Sequence, residues 1–166
     1  MRNGLRTAAS IAAFLAAVNG AASAQLTSSM TAADIVAALE AAGMAASMME
    51  DLDSGAPVAK VEAGDVFYFV RAMDCSGGAC GTLLFFANFA LGRDAAPEDY
   101  SVVNSFNERQ VFGRAYVVAD RGEVGVDYVI ELRGGVSKEN VARNIDTWVD
   151  VVASFREHFR QKSTGF

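Results

Sequence analysis

The chain has 166 residues, with 20 Asp and Glu against 14 Lys and Arg, a single His and a formal net charge of −6. An acidic chain without a basic stripe repels phosphate backbones and anionic lipid surfaces, which argues against a nucleic-acid partner. Its length suits one domain around a single core, and no internal repeat or linker divides it.

Residues 1–24 read as a secretory leader. Arg2 and Arg6 give a basic tip, Ala8 to Val18 are apolar apart from Ser10, and Ala22-Ser23-Ala24 is a small-x-small site before Gln25. These are the three parts of a cleavable signal, with the cut between Ala24 and Gln25. The apolar run falls short of the roughly 20 residues that span a bilayer core. No Cys follows the site, so neither a lipid-modified terminus nor a membrane anchor is expected after cleavage. The expected location is the periplasm, with release from the cell as the alternative.

Residues 25–29 are polar and are expected to form a mobile leader to a single domain over 30–166. Helix one follows. Thr31 and Asp34 make a capping box, Met30 and Ile35 a hydrophobic staple, Ile35, Leu39 and Ala42 an inward face, and Gly43 a stop. Short strands are expected at 45–50 and 57–61, around an acidic turn that includes Asp51 and Asp53.

The runs 65–73 and 81–90 carry Val66-Phe67-Tyr68-Phe69-Val70 and Leu83-Leu84-Phe85-Phe86. Aromatic and β-branched residues suit a pleated surface, but these runs are apolar at successive positions instead of alternating. They are expected to be central strands with most of both faces covered by helices or a partner.

Between them lies Cys75-Ser76-Gly77-Gly78-Ala79-Cys80. An exported chain meets an oxidising compartment, and a short glycine-rich loop can bring two Cα atoms within about 4.4–6.8 Å. A structural disulfide at the base of a hairpin is expected. Redox catalysis would call for Cys-x-x-Cys at a helix start, and zinc for two further ligands.

Helix two is expected from Pro97, a favoured first position, to about Arg109, with Glu98 and Asp99 in its first turn. Val103 and Phe106 point inward. Residues 112–119 and 123–133 form a hairpin across Asp120-Arg121-Gly122, the second strand alternating Val124, Val126, Tyr128, Ile130 and Leu132 on one face. The last helix opens at Ser137. Its apolar stripe of Val141, Ile145, Trp148, Val152, Phe155 and Phe159 packs on a sheet. The order is α-β(3 or 4)-α-β(2)-α: a two-layer α+β domain on an antiparallel sheet of five or six strands.

Asn104-Ser105-Phe106-Asn107, followed by Phe112-Gly113-Arg114-Ala115-Tyr116, resembles the central signature of the YbjN-like family of bacterial sensory transduction regulators. Gly134-Gly135-Val136-Ser137 with Asn140, Trp148 and Phe155 is similar to that family's closing helix. The Cys75–Cys80 hairpin and the Asp-rich turn near Asp53 resemble its exported members. The likeness spans about Met30 to Phe159. Phe106 departs from it, standing where family members often have Trp. The resemblance implies a type III secretion chaperone-like fold, with helices on an antiparallel sheet and frequent dimerisation. It implies no catalytic residues.

The inventory of reactive groups is thin. His158 lies beside the Phe155 and Phe159 stripe and is expected to be a solvated residue near a helix end. Glu50, Asp51 and Asp53 lack the spacing of a calcium loop and are read as a turn. Asn104, Asn107 and Arg114 could form a small polar site, or could cap helix two and tie it to the next strand. No metal, cofactor or catalytic constellation is expected. The expected function is non-enzymatic binding of a peptide or an unfolded envelope protein, with homodimerisation possible. An accessory role in an envelope signalling or stress complex, or an unrecognised periplasmic enzyme, is the alternative.

Overall fold

The computed structural model describes residues 25–51 and 54–162. The expected leader, Ala24 included, and Leu52 and Asp53 of the acidic turn lie outside the described residues.

The elements are β1 (Leu26–Thr27), β2 (Met30–Thr31), α1 (Ala32–Ala41), β3 (Ala45–Glu50), β4 (Pro57–Ala63), β5 (Val66–Ser76) and β6 (Ala79–Ala90). Then come α2 (Pro97–Asn107), β7 (Arg114–Val118), a single 3-10 turn over Ala119–Arg121, β8 (Glu123–Glu131), β9 (Val136–Ser137) and α3 (Lys138–Lys162). The strands of the main sheet run in the order β3-β4-β5-β6-β8-β7, each antiparallel to its neighbour. Where β8 ends, the short β2 takes its place beside Cys80 and Ala79 of β6. This is the expected α+β order, with four strands between the first two helices.

Local chemistry sets most boundaries. Thr31 Oγ1 accepts the Asp34 N–H at 3.2 Å while Asp34 accepts the Thr31 N–H at 2.9 Å, closing the capping box of α1. Gly77 and Gly78 both have positive φ, 60° and 83°, the twist that a two-residue hairpin turn requires. Cys75 and Cys80 face each other across that hairpin and form a disulfide, with Cα atoms 3.9 Å apart. Asp51 accepts both the N–H and the hydroxyl of Ser54 at 2.9 Å, holding the β3–β4 turn.

Two expectations shift at the edges of elements. Residues 25–29, expected to be mobile, include β1, which pairs with β9 and lays Leu26 over Gly135. β7 begins at Arg114 and not at Phe112, because Gly113 turns the chain at φ 79°. A side chain at Gly113 would meet Val151 Cγ1 at 2.6 Å.

All three helices lie on one face of the sheet. Their buried stripes (Ile35 and Leu39, Val103 and Phe106, Ile145 through Phe159) close over Tyr68, Val70, Phe85, Val124 and Val126. Trp148 is fully buried at the centre, edge-on to Tyr68 at 5.5 Å. Burial raises the Tyr68 phenol, and its hydroxyl donates to the Met44 sulfur. Of the two kinds of cover expected for β5 and β6, helices or a partner, helices supply one face. Both strands are central, and among the described residues no helix covers the other face.

Candidate functional site

Register defines the uncovered face row by row. One row runs Met49, Val58, Arg71, Leu84 and Val129 across β3, β4, β5, β6 and β8. The next runs Ser47, Lys60, Phe69, Phe86, Asp127 and Arg114, ending on β7. Phe67 follows on β5, beside Glu62.

This face is apolar at its centre. Phe69 and Phe86 stack at 5.4 Å, and half-buried Leu84 is the next residue on that face of β6. Phe67, Met49 and Val129 remain 54%, 46% and 49% exposed. These side chains explain why the runs 66–70 and 83–86 do not alternate: both faces are apolar, and only one is packed. Cations lie over the rings instead of neighbouring side chains, Lys60 Nζ 4.9 Å from Phe67 and Arg71 5.9 Å from Phe86.

A polar rim surrounds the centre. Arg71 pairs with Asp51, and Arg114 with the nearly buried Asp127. Tyr116 donates to Asn88 Oδ1 at 2.7 Å, and Asn88 donates to Glu123 at 3.2 Å. Burial, helped by the Asp127 charge, pushes the Tyr116 phenol up to about 12, so it stays a donor at neutral pH. At the opposite corner the positive φ of Asp74, 54°, swings its carboxylate to Thr82 Oγ1 at 2.7 Å. Neighbouring Glu131 is held down to about 2 by two bonds from the Arg133 guanidinium. The result is a greasy strip bordered by charges that are already neutralised in pairs. Such a surface can bind apolar side chains with little desolvation of charge.

The polar residues singled out in the sequence do not form a site together. Asn107 holds the backbone of Ala115 with both ends of its carboxamide. Arg114 points to the open face, and Asn104 is exposed and shares no hydrogen bond with either. His158 is not a solvated end residue: its Nε2 lies 3.1 Å from the Val102 carbonyl and 2.9 Å from Ser105 Oγ. The Ser105 hydroxyl donates to the same Val102 carbonyl at 3.0 Å. The group clasps α3 to α2. Among the described residues no His, Cys, Asp and Glu cluster could hold a metal ion.

Residues 31–161 match the YbjN family model, described as "Putative bacterial sensory transduction regulator". The chain belongs to the YbjN family. No curated protein matches it. Among solved structures it is similar to YbjN from E. coli, at 14% identity and a TM-score of 0.52, over 76% of this chain and 89% of that one. At that identity the likeness shows the fold. Family membership agrees with the Asn104–Asn107 and Phe112–Tyr116 signature, whose residues tie α2 to β7 and shape the rim of the open face.

Proposed function

We propose that this YbjN family member is a non-enzymatic binding protein of the bacterial envelope, using its open sheet face to hold an apolar segment of an unfolded protein. The observation that carries the reading is the patch of large apolar side chains, Phe67, Phe69, Phe86, Leu84 and Val129, left uncovered by helices on the face opposite them. A contiguous exposed strip of this kind is the signature of an interaction surface. Export through residues 1–24 is supported by the leader's composition and by the Cys75–Cys80 bond, since thiols pair in oxidising compartments. The family's description favours a second reading, in which the same face docks a folded partner of a signalling assembly.

The test uses the secreted form and reduced, carboxymethylated α-lactalbumin, a permanently unfolded protein. Binding is expected to be saturable and to weaken about tenfold or more in a Phe67→Ser/Val129→Ser variant, the loss expected for two anchors near the middle of a patch. Equal binding by the variant, at unchanged thermal stability, would overturn the proposal. A rigid monomer that binds no unfolded protein would do the same.

A further inference from the structure

The β3-β4-β5-β6-β8-β7 run of the main sheet ends at β3 and β7, and the chain treats these two edges differently. At β7, Asn107 accepts the Ala115 N–H at 2.8 Å and donates to the Ala115 carbonyl at 3.1 Å. One carboxamide thus occupies both outward backbone groups of Ala115, blunting this end of the strand. β3 has no such guard. Its six residues, Ala45–Glu50, include no proline, lysine or glycine. Among the described residues, nothing beyond its partner β4 bonds to its main chain. An unblunted edge is a template for another strand.

Charge selects the kind of strand. Glu40 lies in the last turn of α1, just ahead of β3, and Glu50 closes β3; both are exposed, and neither side chain has a partner among the described residues. Antiparallel pairing of two copies through β3 would set Glu50 of each beside the Glu40 end of the other. Four carboxylates would then crowd two short stretches of edge, a juxtaposition that costs affinity. A segment with a base at each end would meet one carboxylate at either end instead.

We infer that β3 receives, as an added strand, an extended polypeptide segment that is apolar at alternate positions and carries Lys or Arg at both ends. The inference rests on the binding role proposed above and names how the segment enters the site. Its alternate side chains extend the row of Met49, Val58, Leu84 and Val129 by one more strand. Its bases pair with Glu40 and Glu50.

Two capped hexapeptides, Lys-Val-Thr-Val-Thr-Lys and Glu-Val-Thr-Val-Thr-Glu, test it, with backbone amide exchange followed residue by residue. The Lys-ended peptide is expected to bind about tenfold tighter, the difference that two exposed ion pairs provide. It should slow exchange in β3 and leave β7 unchanged, and a Glu40→Lys/Glu50→Lys variant should reverse the preference. Equal affinities, protection confined to β7, or a dimer whose β3 amides are already protected would overturn it. If carboxymethylated α-lactalbumin binds while β3 stays unprotected by it and by both peptides, the edge assignment falls and the binding role stands. If the Lys-ended peptide protects β3 but the unfolded protein does not bind, the open-face reading falls alone.

Discussion

The Tyr116 ring lies across Gly125: a Cβ on that glycine would stand 2.5 Å from two of the ring's carbons and 2.5 Å from Asn88 Oδ1. The glycine is what lets a side chain of β7 cross β8 and hydrogen-bond to β6. Gly125→Ala should therefore displace the phenol from Asn88 and cost about 1–3 kcal/mol, the usual penalty for overpacking. Urea unfolding measures it, and a cost no larger than that of Gly→Ala at an open position would show that the ring is free to move.

Asp99 is almost fully buried, takes two hydrogen bonds from Arg93 and accepts the Ala96 N–H at 2.8 Å. The Arg93 guanidinium holds its carboxyl below the usual carboxylate range. The pair's contribution is thus complete above the pKa of an unfolded Asp, about 3.9, and fades as the pH falls through the lower folded value. Asp99→Asn should cost about 2 kcal/mol at pH 7, because a charge-assisted pair and part of a helix cap are lost together. The difference between wild type and variant should narrow steadily below about pH 4. A difference that stays constant from pH 7 to pH 3 would place the stabilisation elsewhere.

The Cys75–Cys80 ring is short, so breaking it releases little chain entropy. Reduction is expected to cost about 2 kcal/mol and to leave the fold intact. Thermal unfolding with and without dithiothreitol, with thiol titration of the unreduced sample, checks both the bond and its size. Two free thiols in the unreduced protein would refute the pairing.

Asn107→Leu removes both partners of the Ala115 main chain. A buried donor and acceptor left unpaired cost about 1–3 kcal/mol, and the opened β7 edge invites strand pairing. The variant is expected to be less stable in urea and to self-associate in sedimentation velocity. A monomer of unchanged stability would mean that water satisfies those groups as well as the carboxamide does.

Helix starts and the hairpin were legible because each is written in adjacent residues: Thr31 with Asp34, Pro97 with Asp99, Gly77 with Gly78. The order of elements along the chain followed from the alternation of Val124 to Leu132 and from short connections, while the pairing of β6 with β8 did not. The open face was not legible. A run such as Val66 to Val70 has the same composition whether its second face meets a helix, a partner or water, so hydrophobicity alone could not tell these apart for Phe67 and Phe69. The roles of Asn107 and His158 were hidden for another reason. Each depends on a backbone carbonyl brought close by the fold, Ala115 for one and Val102 for the other, and main-chain atoms leave no mark in a sequence.

Because β5 and β6 are joined by a two-glycine turn, they can zip together after closing one of the smallest loops in the chain. β8 reaches β6 only after α2 and β7 have been threaded, with Thr82 meeting Glu131 across the intervening sequence. Assembly is therefore expected to spread outward from this hairpin, local contacts forming ahead of distant ones. Pulse-labelling during refolding should find the amides of Phe69 to Met73 protected before those of β7, and the reverse order would mean that the C-terminal half templates the sheet.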